Sequence, residues 1–217
     1  MSQIETAAGS AGKDARAWAK TIAVYNQPSN ARGALEFAVS LLPFAILWAA
    51  MAVLLSYGYW IGLILAVPAA GFLVRLFMIQ HDCGHGAFFR NSHANDWVGR
   101  TVGVMTLTPY SVWKRTHALH HAGSGCLDHR GFGEIATLTV EEYEALSPWK
   151  RFKYRLYRHP LVLFGVGPAY LFILDHRLPG GMMRKGWQPW LSTMGTNLAL
   201  AALVAALIWL VMRPSED

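Results

Sequence analysis

Charged residues are scarce in this chain. Asp, Glu, Lys and Arg make up 15% of its 217 residues and hydrophobic residues 53%, where a soluble domain carries about 25% charge. An ordinary soluble globular domain is thereby excluded, and the composition reads as that of a membrane protein. The small charge surplus is positive, +6 at pH 7, which suits flanks that face the cytoplasm and anionic lipid. No basic motif or aromatic stacking pattern accompanies it, so nucleic acid is not an expected partner. Cysteine is rarer still. Only Cys83 and Cys126 occur, and on the cytoplasmic side assigned below no disulfide is expected. The first 32 residues hold no long apolar run, so no signal peptide is expected. Residues 1–33 read instead as a polar cytoplasmic arm, with Pro28-Ser29-Asn30 as a turn and Asn30 as the cap of the first helix.

Apolar residues are gathered into long runs, and crossing a bilayer as a helix takes about twenty of them. Spans are expected at about 34–56, 61–79, 160–174 and 190–212. The fold class is then all-α, a polytopic membrane protein with about four transmembrane helices plus cytoplasmic or interfacial ones. The first span contains Pro43, which a membrane helix tolerates. Arg75, near the end of the second, is expected to snorkel to the headgroups. The third is short and interrupted by Gly165, Gly167 and Pro168. Between the first two, Tyr57-Gly58-Tyr59-Trp60 makes a tight turn with no Lys or Arg. By contrast, the arm carries Lys13, Arg16, Lys20 and Arg32, and a dense basic run fills 150–158. The positive-inside rule places both in the cytoplasm. Residues 97–107 are too short to span and read as an interfacial or re-entrant helix, broken at Thr108-Pro109-Tyr110. Thr139 and Glu142 have capping-box spacing. The basic run is amphipathic, with Trp149, Phe152, Leu156 and Tyr157 available to the interface.

Five of the nine histidines fall in two clusters, His81-Asp82-Cys83-Gly84-His85 and His117-Ala118-Leu119-His120-His121. Helix positions i, i+3 and i+4 are neighbours, so each cluster is expected to aim all its imidazoles in one direction. Neutral imidazole is the commonest ligand of first-row metals. Five of them exceed what one tetrahedral zinc takes, which points to more than one ion. Cys83 is read as a small buried spacer rather than a thiolate ligand. His93, His129, His159 and His176 are scattered and read as solvated or interfacial, with His129 the nearest to the second cluster in its loop.

At these residues the chain resembles a known family. The stretches Phe77-Met78-Ile79-Gln80-His81-Asp82-Cys83-Gly84-His85 and Thr108-Pro109-Tyr110-Ser111-Val112-Trp113-Lys114-Arg115-Thr116-His117-Ala118-Leu119-His120-His121 are similar to the first two histidine boxes of the integral-membrane fatty acid desaturases. The likeness is to the bacterial and plastid acyl-lipid omega desaturases. It implies a four-span fold, in a bacterial inner membrane, with the N-terminus and boxes cytoplasmic. It also implies a di-iron centre of two non-haem irons that activates oxygen and forms a cis double bond in a membrane lipid or acyl substrate. Electrons would come from ferredoxin or a cytochrome b5-type donor. The ligands carried over are His81, His85, His117, His120 and His121.

A third box, of His-x-x-His-His form, is missing from this sequence. The expectation is therefore an N-terminal portion of a desaturase, with partial metal binding and no turnover by itself. A related membrane di-iron hydroxylase is the nearest alternative, because the boxes do not separate hydroxylation from desaturation. A zinc protease would need Glu as the general base in the first cluster, where Asp82 stands. A non-catalytic remnant, or a subunit completed by a chain supplying the missing ligands, also stays open.

Overall fold

The computed structural model describes residues 17–18, 20–22, 27–129 and 135–212, the last three without side chains. Most of the expected arm, the stretch 130–134 and residues 213–217 lie outside the described residues. Those described form helices and turns, with no strand among them.

Helix α1 spans Asn30–Ser56 and α2 spans Ala66–Gly84, preceded by a 3-10 stretch at Trp60–Leu65. The helix cap is Ser29, not the expected Asn30. Ser29 has extended backbone and its hydroxyl accepts from the Arg32 amide, whereas Asn30 is already helical. The Asn30 side chain serves the loop after α2, accepting from the Arg90 amide at 3.0 Å. Arg75, expected to reach the headgroups, also has a partner within the protein. It turns across to α1, where it pairs with Glu36 at 3.2 Å and donates to the Ser40 hydroxyl at 3.3 Å. A carboxylate one helix away answers the charge, with both side chains still about half exposed.

Helix α3, Ser92–Met105, begins earlier than the apolar run because Asn91 caps it, accepting from the His93 and Ala94 amides. Its end is a tight reversal in which Leu107 adopts φ 57°. Helix α4, Tyr110–Gly123, follows at once. Leu76, Ile79 and Cys83 of α2 pack with Val102 of α3 and Tyr110 of α4 into one buried cluster. Cys83 is thus a buried spacer, as its size suggested. Gln80, fully buried, accepts from the Thr106 hydroxyl at 2.6 Å and ties α2 to the end of α3.

Beyond the loop, α5 (Val140–Glu144) carries the expected capping box of Thr139 and Glu142. Helix α6 runs Pro148–Tyr157 under a Ser147 cap. The stretch expected as a third span builds a π turn, Val162–Val166, and a short helix α7, Gly167–Ile173. Gly165, Gly167 and Pro168 keep it from forming one continuous α-helix. Helix α8 spans Trp187–Met212. Among the described residues, three helical stretches are long and apolar enough to cross a membrane, Asn30–Ser56, Trp60–Gly84 and Trp187–Trp209.

Arg177, in the connection before α8, joins distant parts of the chain. Its guanidinium donates to Asn197 of α8 at 2.9 Å, to the Phe172 carbonyl at 3.3 Å and to the Leu107 carbonyl. Asn197 returns a bond to the Arg177 carbonyl at 3.0 Å.

Candidate metal centre

The C-terminal end of α2 presents His81 and His85, and the last turns of α4 present His117 and His121. The four rings meet through Nε2. His85 Nε2 lies 3.3 Å from His81 Nε2 and 3.2 Å from His117 Nε2, and His117 Nε2 lies 3.1 Å from His121 Nε2. All four ligand nitrogens fall within 4.8 Å of one another, a group able to hold a metal ion. Nitrogens about 2.1 Å from a shared ion would stand about 3 Å apart at adjacent coordination positions, close to these spacings. Four imidazole nitrogens converging on one point leave lone pairs facing each other, which a cation relieves. The residues therefore fit a metal.

His120 departs from the expected common direction. A helix turns about 100° per residue, so His121 lies about 40° from His117 on one side and His120 about 60° on the other. The ring of His120 is 6.0 Å from His117 and 5.6 Å from His121. It lines a cavity of about 380 Å³ together with Phe77, Trp113, His117, Phe172 and His176. His176 was expected to be solvated or interfacial. It is half-buried in this wall instead, against the Phe172 ring at 5.3 Å. Nothing in its local sequence marked it, since the connection reaches the cavity only through the tertiary fold. His93 and His159 are exposed, and the side chain of His129 lies outside the described residues.

The surroundings hold the rings in place. Asp82 Oδ1 is 3.2 Å from His81 Nδ1, a carboxylate behind the nitrogen that faces away from the group. Trp113 stacks on His117. The α3–α4 contact is closed by Asp96, which accepts from the Lys114 ammonium at 2.8 Å and the Tyr110 hydroxyl at 3.2 Å. Gly99 and Gly103 make that contact possible. A Cβ on Gly99 would stand 2.3 Å from the Tyr110 ring, and one on Gly103 2.6 Å from the Thr108 carbonyl oxygen.

Electrostatics favour neutral imidazole. Burial, then the neighbouring rings of His81, His121, His85 and His120, lowers the His117 pKa from 6.5 to about 4. His85 is lowered by burial and by His81 and His121, against Asp82. Burial opposes ionisation of Asp96, but its bonds from Lys114 and Tyr110 leave the carboxyl below its usual range.

Comparison with known proteins agrees with this arrangement. A family model described as fatty acid desaturase matches residues 58–214. A fatty acid desaturase of Bacillus subtilis (strain 168) is 42% identical over 187 residues, covering 86% of this chain and 53% of that protein. The sn-1 acyl-lipid omega-3 desaturase (ferredoxin) of Synechocystis is 31% identical over 140 residues, 64% of this chain and 38% of that one. An endoplasmic-reticulum omega-3 fatty acid desaturase of Vigna radiata is 33% identical over 127 residues, 58% of this chain and 31% of that one. The chain spans about half the length, or less, of these relatives. No solved structure matches.

Proposed function

The chain belongs to the fatty acid desaturase family, and from that premise we propose that it serves oxygen-dependent desaturation of acyl chains at a histidine-ligated, non-haem di-iron centre. The carrying observation is the convergence of four Nε2 atoms beside a cavity walled by Phe77, Trp113, Leu171 and Phe172. His81, His85, His117 and His121 would hold one iron. His120, turned to the cavity side, would serve the second, whose remaining ligands come from beyond these five. Bound iron supplies the oxidising power needed to remove hydrogen from an unactivated methylene.

The chain's own residues do the rest. Trp113 and Asp82 fix two of the rings, and the depressed pKa of His117 keeps its imidazole neutral, with one nitrogen able to take a ligand role. The aromatic and aliphatic side of the cavity offers an acyl tail an apolar seat. The basic surface suits an acidic electron donor, and the Synechocystis relative carries ferredoxin in its name. The Lys and Arg distribution supports a cytoplasmic side for the histidine end of α2.

The test is expression in a membrane host, with iron per polypeptide and the double bonds of the host's acyl chains read together. By itself the sequence is expected to bind iron and form no double bond. Co-expressed with a segment bearing a further His-x-x-His-His cluster, it is expected to add cis double bonds, which His85→Ala removes. New double bonds from the sequence alone would overturn the need for added ligands. An added hydroxyl group would favour the hydroxylase reading.

A further inference from the structure

Helix α6 has two faces with separate tasks. The inner face is spent on the protein. Arg151 donates to the Leu146 carbonyl at 2.9 Å and sits 5.8 Å from the Tyr143 ring. The hydroxyls of Tyr154 and Tyr157 accept from the Leu138 and Ala136 amides, each at 3.3 Å, and Arg158 donates to the Ala136 carbonyl at 3.5 Å. These bonds hold the segment 136–138 under the helix.

The outer face is apolar and uncovered. Trp149, Phe152 and Leu156, at i, i+3 and i+7, are 62%, 49% and 51% exposed. The rings of Trp149 and Phe152 lie nearly parallel, 5.4 Å apart. At about 100° per residue, Lys153 and Arg155 flank this stripe on opposite sides. Lys153 rests 5.2 Å from the Trp149 ring, and neither Lys153 nor Arg155 has a hydrogen bond or ion pair among the described residues. Helix α6 contains no acidic residue.

Position decides the occupant. Three residues after α6 ends, the chain enters an apolar stretch with Leu161 75%, Phe164 83% and Val166 65% exposed, side chains that need lipid around them. With that stretch in lipid, the C-terminal end of α6 would lie at the bilayer surface.

We infer that α6 lies in the membrane plane on an anionic phospholipid surface, with Trp149, Phe152 and Leu156 at the acyl boundary and Lys153 and Arg155 on phosphates. An apolar stripe between cations is the design of an interfacial anchor, and an anionic surface attracts each of the cations. The anchor acts independently of the metal centre and of the reaction.

The experiment uses the full chain in nanodiscs of phosphatidylcholine, with or without roughly one-third phosphatidylglycerol. A nitroxide on Phe152→Cys, in a Cys126→Ser background, is probed for collision with oxygen and with a water-soluble nickel chelate. Oxygen is expected to dominate, and several-fold more so with phosphatidylglycerol. Lys153→Gln with Arg155→Gln should abolish that lipid difference while the helical circular dichroism stays unchanged. Free access of the nickel chelate in both lipids would overturn the inference. So would shielding that arises only on adding an acidic soluble protein, which would assign the face to a protein partner. Amide exchange over 148–157 in the unsubstituted chain provides a second reading, with slower exchange expected in the anionic discs and equal rates contradicting the anchor.

Discussion

The Trp113 indole lies flat on the His117 imidazole, with ring centroids 4.7 Å apart and planes 12° from parallel. Its other contacts fix it there. The Phe77 ring meets it edge-on at 5.6 Å, and a Cβ on Gly84 would stand 2.8 Å from it. Trp113 is thus a positioning residue for His117. Trp113→Ala is expected to weaken metal binding by about 10–100-fold, the usual effect of losing support behind a ligand. Trp113→Phe should keep most of the affinity. Competition titration with cobalt and a chelator reads both, and an unchanged affinity in Trp113→Ala would refute the role.

Gly99→Ala tests the α3–α4 contact. The Tyr110 ring is 1% exposed and its hydroxyl is bonded to Asp96, so it has no room to retreat from a Cβ 2.3 Å away. Overpacking of this kind costs about 1–3 kcal/mol, and the shift of α4 should also weaken metal binding. Gly71→Ala in α2 is the matched control, since its Cβ would meet nothing within 4 Å. Thermal melts in detergent compare the two, and equal Tm values would show that the close approach carries no weight.

Acid should destabilise the metal-free chain. His117 binds its proton at about 4 in the fold and near 6.5 when unfolded, so the unfolded state takes up more protons between those values. Stability therefore rises with pH across this window and falls as pH drops through it. Asp96 acts in the same direction at lower pH, because its folded pKa is also depressed. The Tm of the apo chain is expected to fall from pH 6.5 towards 4, less steeply in His117→Gln. A flat profile in the unsubstituted chain would contradict the neutral state assigned to His117.

Arg177→Ala should loosen α8 from the α3–α4 reversal. The substitution removes the donors to Asn197, Phe172 and Leu107 at once, and hydrogen bonds to a charged group are worth about 1.5–3 kcal/mol. Faster amide exchange around 105–109 and 193–197, with α1 unaffected, is the expected signature. Exchange unchanged in both segments would mean the clasp is incidental.

What the sequence made legible is local. The two histidine clusters, the Thr139–Glu142 box and the small buried Cys83 each follow from spacing or size within a few residues. The Ser29 cap was missed by one position, because both candidates are good caps and only backbone geometry separates them. Composition alone predicts a third span, and its glycines and proline divide that stretch into a π turn and a short helix. Clustering in the sequence groups His120 with its neighbours, whereas helix rotation sets it on the other side of His117. His176 and the Arg177 clasp depend on chain segments about 70 residues apart, as with Arg177 and Leu107, and no local pattern carries such information.

The most direct test of the four-histidine site is iron per polypeptide in five single alanine variants, purified in detergent. His81→Ala, His85→Ala, His117→Ala and His121→Ala should each lose the ion, while His120→Ala should keep it. Loss in His120→Ala equal to the others, or retention in any of the four, would contradict a single ion shared by those Nε2 atoms.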